Sequence, residues 1–384
     1  MLLLPDPDPD RGALRLAERL IQLLDRGGFT ATYKYAVLVA LIDLCLEHTS
    51  SKGEPPSMVT TRQMAEKIIE LYWPHCAPYL DDDRLPERAP RVLHQSTARA
   101  DKQALIVRHV LDFREIVDPR RERSLSLVRA RLMAEPDHYE RLVDLVEWTL
   151  INMPLPRLQY VGREEDRFLY EYNFTKETPR GVVERYQRGE KGRFDNRLNL
   201  QPGVGMALIA LNGVLRPLIY RSWTTMVATM NGLAQSELED FLFGKKRISL
   251  EPVQPGLVEL QQGLCFYCKQ GMPTACEVDH FVPWARHADN SIENLVATHK
   301  GCNGQKSDFL AAAEHVERWR ERSVQHEGAL ADLARQHRWE SRPERTLSVA
   351  RAIYGMLPDD AKLWRLGREF ISLERQKINE ALAA

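Results

Sequence analysis

Apolar and polar positions along this chain recur mostly with a helical period. Residues 12–26, "GALRLAERLIQLLDR", repeat their large apolar side chains every three or four positions and stop at Gly27-Gly28, which predicts an amphipathic helix with a glycine terminator. Residues 32–47 also predict a helix, apolar with little relief through "YAVLVALIDLCL". Thr60 and Gln63 have the spacing of a capping box that opens a third helix over "QMAEKIIELYW". Helical patterns follow at residues 97–115 and 123–150, and the apolar stretch 204–232 predicts a long helix kinked by Pro217. Between them, residues 76–93 with "YLDDDRLPERAP" predict a long loop, and "LPRLQYVGREEDRFLYEYNF" alternates like two strands joined by "GREED". The expected fold class is mainly α with a small α+β module late in the chain.

Length turns this into a question of domains. With 384 residues, two or three domains are expected. A boundary falls near 245–256, where "KKRISLEPVQPG" changes composition and carries two prolines. Hydrophobic and charged fractions of 43% and 28% are those of an ordinary globular chain. The longest apolar run contains Asp43 and is far shorter than the roughly 20 residues that span a bilayer, so no membrane partner is expected. The start "MLLLPDPDPD" has no basic n-region, which argues against a secretory signal and for a cytoplasmic location where thiols stay reduced.

The six cysteines then locate the chemistry. Cys45 and Cys76 lie in apolar surroundings and read as small buried hydrophobes. Cys265, Cys268, Cys276 and Cys302 crowd one short window. Cys265-x2-Cys268 puts two thiolates on a tight turn, and His299-x2-Cys302 repeats the spacing, so the four make a Cys3His set for structural Zn²⁺. Cys276 reads as a strand residue without a metal role. A zinc ion filled by four protein ligands braces a fold and catalyses nothing, so the residues between the two pairs need another explanation.

Those residues, "EVDHFVPWARHADNSIENLVATHKGCNGQK", resemble the HNH nuclease family in its form with flanking CxxC pairs. The resemblance rests on Cys265, Cys268, Asp279, His280, Pro283, Asn294, Leu295, His299, Cys302, Asn303 and Lys306, and it covers about 60 residues. The patterns on either side make 1–250 a mainly helical region, with recognition or regulation as its natural role, and 323–384 a helical C-terminal extension, and the resemblance implies a zinc-braced ββα-metal fold over 251–322. It further implies a metal-dependent endonuclease acting on DNA. In that chemistry His280 takes a proton from water. Asp279 and Asn303 hold a catalytic Mg²⁺ or Mn²⁺, Asn294 anchors the loop that fixes His280, and Lys306 contacts a phosphate. Two positions depart from the commonest family pattern. Asn303 replaces histidine, which favours a hard cation. His299 replaces cysteine and leaves two readings: it completes the zinc set, as the repeated spacing suggests, or it serves the catalytic metal from one helical turn before Asn303.

Charge gives the nuclease reading little help. The chain carries a net −1, and residues 251–320 hold six Lys and Arg against nine Asp and Glu. A DNA-binding surface is therefore expected elsewhere, at Arg120, Arg121, Arg123, Arg129 and Arg131 or along "RYQRGEKGRFDNR", where Tyr186 and Phe194 interleave with basic residues. A partner protein, self-association or the N-terminal region would complete the grip. Restriction of foreign DNA, as in antiphage defence, is the setting such an architecture suggests. The competing function is a non-catalytic zinc knuckle that binds nucleic acid or protein. A zinc deaminase is a poor alternative, because the H-x-E with a following P-C-x2-C that its mechanism needs is absent.

Overall fold

The computed structural model describes residues 9–26, 30–79, 91–97, 103–117, 136–161, 164–175, 177–190, 194–244, 248–272 and 276–383. The chain divides into two compact units, Met1–Cys45 with Pro56–Arg247 and Leu46–Pro55 with Ile248–Ala384. The fold is mainly helical with small sheets.

In the first unit, α1 (Pro9–Arg26) and α2 (Tyr33–Glu47) follow the two periodic runs. Residues Tyr35 to Leu46 of α2 are all buried, which explains an apolar run without a polar face. Asp43 within it accepts a hydrogen bond from Arg216 Nη2 at 2.6 Å, so a buried charge meets its counter-charge. Helix α3 (Thr61–Tyr72) opens on the capping box, with Thr60 Oγ1 accepting from Gln63 N at 3.1 Å and Gln63 Oε1 from Thr60 N at 2.8 Å. Helix α4 (Leu105–Val117) begins later than the periodicity suggests, and α5 (Pro136–Asn152) carries the part of the 123–150 pattern that lies within the described residues. Arg120, Arg121, Arg123, Arg129 and Arg131 lie outside the described residues, as does most of the loop "YLDDDRLPERAP".

Two expectations are corrected here. Around "GREED", β2 (Tyr160–Val161) and β3 (Glu164–Glu165) pair over only two residues. The following segment, β4 (Tyr170–Glu171), joins β1 (Met58–Thr60) and β5 (Arg197–Leu200) in a sheet ordered β1-β5-β4. The buried side chain of Gln159, just before β2, occupies the backbone at the start of β4, bonding Leu169 N at 2.7 Å and Tyr170 O at 2.9 Å. After α6 (Arg180–Gln187), the long helix is two: α7 (Val204–Ala210) and α8 (Asn212–Asn231), meeting at 80°. The bend is at Leu211 and not at Pro217. The Leu211 carbonyl accepts from Val214 and Leu215 and starts a new helix, whose Arg216 donates to Asn212 and to Asp43. Helix α9 (Gln235–Phe243) then covers buried His75 and Trp223. Among the described residues no single helix is long and apolar enough to cross a membrane.

In the second unit, β6 (Glu277–His280) pairs antiparallel with β7 (Leu295–Thr298), Glu277 opposite Thr298 and His280 opposite Leu295. Helix α10 (Gln254–Leu260) precedes the pair and α11 (Lys300–Lys306) follows it. Among the described residues the unit also holds α12 (Ala313–Gln325), α13 (Glu327–His337), α14 (Pro343–Gly355) and α15 (Arg375–Ala383). The core joins Val253 and Leu257 to Ile292, Leu295, Leu330 and Leu333. The tail, expected to be helical, also carries a hairpin of β8 (Lys362–Leu366) and β9 (Glu369–Ser372). Buried Trp364 anchors it: its N donates to Leu310 O and its O accepts from Ala312 N, both at 2.8 Å.

Candidate functional site

The segment "LCFYCKQG" folds into a knuckle for local reasons. Leu264 bridges Gly271, Cys265 N donates to Gln270 O at 2.9 Å, and Lys269 takes a left-handed φ of 62°. Entry into α11 brings His299 and Cys302 to the knuckle. One ligand atom each from Cys265, Cys268, His299 and Cys302 lies within 4.8 Å of the others. A tetrahedral zinc bound to sulfur at about 2.3 Å spaces its ligands about 3.8 Å apart, so the set fits that ion with a small closure. His299 Nδ1 lies 3.2 Å from Cys268 Sγ, while Nε2 donates to Gly271 O at 3.1 Å. That outer bond leaves the lone pair on Nδ1, as a metal-ligating histidine requires. Burial alone would raise the Cys265 thiol, but N–H groups of Cys268, His299 and Tyr267 bring it below its ordinary value. Cys302 is pushed up to about 12 by burial and by its neighbour Cys265, a repulsion that a bound dication relieves. Cys276 stands outside the cluster. Cys45 and Cys76 are buried thiols, each pushed up to about 12 by burial.

Beside the knuckle, β6 ends in Asp279 and His280. Tyr267, lying between the two knuckle cysteines, donates to Asp279 Oδ2 at 2.6 Å. Burial lifts its phenol far above the ordinary value, so it stays a donor. Lys306 of α11 sets its Nζ 3.0 Å from the same oxygen and 2.9 Å from His280 O. Among the described residues, both side-chain partners of Asp279 meet Oδ2, which leaves Oδ1 for a further ligand. Glu277, two residues back on the same strand face, accepts from Asn303 Nδ2 at 2.8 Å, and this leaves Asn303 Oδ1 as an acceptor. One carboxylate oxygen and one amide oxygen at the junction of β6 and α11 suit Mg²⁺, which takes few protein ligands and keeps waters.

Lys306 corrects an expectation. Its side chain is 0% exposed, so its ammonium faces Asp279 and not an incoming phosphate. A lysine carried inside by its helix needs a counter-charge, and Asp279 supplies it.

His280 is buried, with its ring edge-on to Trp284 at 5.2 Å and Nε2 2.8 Å from Asn290 Oδ1. Burial holds its pKa below that of ordinary imidazole, so the ring is neutral at neutral pH. Asn294 is fully buried and ties the two ends of the β6–β7 loop together. Its Oδ1 accepts from Val282 N at 2.8 Å, and its Nδ2 donates to Val282 O at 3.2 Å and Asp289 O at 3.0 Å. It thus acts on the loop backbone, and the side-chain hydrogen bond to the imidazole comes from Asn290 instead.

The outer side of the loop is held by charge. Asp289 accepts from Arg345 Nη2 at 3.0 Å, Thr346 Oγ1 at 2.7 Å and Ser291 N at 2.9 Å. His287 faces Glu47 at 3.2 Å. Trp319 stacks on Phe281 at 4.9 Å and donates to Glu293 O at 2.8 Å.

This geometry can be set beside known proteins. Residues 269–312 match the family model for an HNH endonuclease. This part of the chain is an HNH module. Its Cys265, Cys268, His299 and Cys302 cluster fits the zinc-braced form. No curated protein and no solved structure matches the chain.

Other candidates fall outside the HNH centre. Tyr186 and Phe194, both half-buried, pack on each other at 5.3 Å, and Tyr186 OH accepts from Asn196 Nδ2 at 2.7 Å. His315 is buried between Tyr267 and Trp364. Reading the sequence missed Tyr267 and Asn290. Their signals were slight: an aromatic between two ligands, and a second asparagine four residues before Asn294.

Proposed function

We propose that the HNH module is a metal-dependent endonuclease that hydrolyses DNA phosphodiester bonds with His280 as general base. The supporting observation is that Asp279 and His280 end β6 while Asn303 of α11 is tied to the same strand through Glu277, next to a separate Cys3His cluster. A knuckle that only binds needs the second set and not the first. In the reaction a water oxygen bonds to phosphorus as the P–O3′ bond breaks. The water proton passes to the lone pair of the His280 imidazole, and the departing 3′ oxygen takes up a proton from solvent, leaving 5′-phosphate and 3′-hydroxyl ends. Mg²⁺ or Mn²⁺, when held by Asp279 Oδ1 and Asn303 Oδ1, would offset charge on the phosphoryl and leaving oxygens. Cytoplasmic restriction of foreign DNA, with the first unit recognising or regulating and a partner or second copy adding grip, belongs to the same proposal and rests on the likeness to the HNH family alone.

The Lys306–Asp279 pair favours one rival reading, since an internally neutralised carboxylate need not hold a cation. In that reading the module is a non-catalytic zinc knuckle that binds nucleic acid. Incubating the full-length, zinc-loaded protein with plasmid DNA and Mg²⁺, Mn²⁺ or EDTA separates the two. Nicked or linear product that needs added metal and carries ligatable 5′-phosphates supports the nuclease; retained DNA binding without cleavage supports the knuckle.

A further inference from the structure

The β6–β7 loop gives His280 one polar contact that the proposed chemistry leaves unassigned. Nε2 lies 2.8 Å from Asn290 Oδ1. A carbonyl oxygen has no hydrogen, so the proton in this contact belongs to Nε2. A neutral imidazole carries a single N–H, and the lone pair therefore stands on Nδ1. Asn290 is well placed to enforce this. Its own carbonyl accepts from Trp339 Nε1 at 2.7 Å, and the residues on either side are joined by the bond from Ser291 N to Asp289 Oδ1. On its other flank the imidazole meets the Trp284 ring. Asn294, which the family resemblance makes the anchor of the loop that fixes His280, is occupied with Val282 and Asp289 backbone atoms. Turned by half a rotation, the Asn290 amide would donate to Nε2 and reverse the assignment, so the tautomer is the deciding observable.

We propose that Asn290 is a positioning residue that holds His280 in the Nε2–H tautomer, with Nδ1 turned into the proton acceptor. The consequence for rate rests on the nuclease reading; the tautomer itself does not. The test compares full-length, zinc-loaded wild type, Asn290→Ala and Asn290→Asp, each labelled with ¹⁵N-histidine, with His280→Gln to assign the signal. Long-range ¹H–¹⁵N spectra recorded at alkaline pH, where the ring is neutral, report the protonated nitrogen. Nε2–H is expected in wild type and Asn290→Asp, which keeps the acceptor oxygen, and loss of that preference in Asn290→Ala. Both variants retain the backbone acceptor for Trp339, so zinc content and melting temperature should stay close to wild type. Single-turnover DNA cleavage should fall about 10- to 100-fold in Asn290→Ala with little change in KM, and recover largely in Asn290→Asp. An Nδ1–H tautomer in wild type, or an unchanged tautomer in Asn290→Ala, overturns the proposal. A wild type that cleaves no DNA overturns the nuclease reading, while the spectra still decide the contact.

Discussion

Tyr267 connects two sites that look independent in the sequence: it belongs to the zinc knuckle and its hydroxyl holds Asp279. Tyr267→Phe should leave zinc content unchanged and raise the Mn²⁺ concentration for half-maximal cleavage about 10-fold, because an outer hydrogen bond to a ligand is lost. Metal titration beside a zinc assay checks this. Lys306→Met removes the partner of a buried carboxylate and should cost about 3 kcal/mol in urea unfolding, a loss that a phosphate-contacting surface lysine would not show. Asp289 gives the pH dependence. Burial alone would raise its carboxyl, but Arg345 and His287 with bonds from Ser291 and Thr346 hold it well below the usual carboxylate range. A depressed folded-state pKa means stability that is present above the unfolded value of about 3.9 and lost as pH falls below it. The melting temperature of Asp289→Asn should therefore trail wild type most at neutral pH, with the gap closing below about pH 4.

At the scale of elements, what was legible was local. The capping box at Thr60, the apolar run of α2 and the two x2 ligand pairs are patterns within a few residues, and reading them needs no knowledge of the rest of the chain. What was not legible depends on distant partners. Gln159 takes up the backbone of Leu169 and Tyr170 at β4, Asp43 draws in Arg216 near the bend at Leu211, and Trp364 fixes the tail hairpin against Leu310 and Ala312. The candidate site divides the same way. Its zinc ligands could be read from spacing, whereas the inward turn of Lys306 and the bond from His280 to Asn290 exist only once β6, α11 and the loop have met. The knuckle should be the element on which the rest depends. Cys268→Ser should lower bound zinc and abolish the thermal transition of the module, since structural zinc supplies folding free energy on the order of 10 kcal/mol. Zinc analysis and calorimetry read both.

At the scale of the molecule, the second unit extends well beyond the matched residues 269–312. Arg345 and Thr346 grip the loop through Asp289, Trp364 lies against Tyr267, and Glu47 faces His287. A fragment limited to 251–322 lacks all of these and should remain unfolded with zinc present, while one covering 248–384 should fold and bind it; circular dichroism melts with metal analysis distinguish them. The central claim is that His280 of this folded unit takes the proton from water. Its most direct test is single-turnover cleavage of plasmid DNA by full-length wild type and His280→Ala in Mg²⁺ or Mn²⁺, after zinc content and melting temperature have been matched. The account predicts metal-dependent cleavage by wild type and a loss of at least about 100-fold in the variant. Equal rates in the two proteins would contradict it.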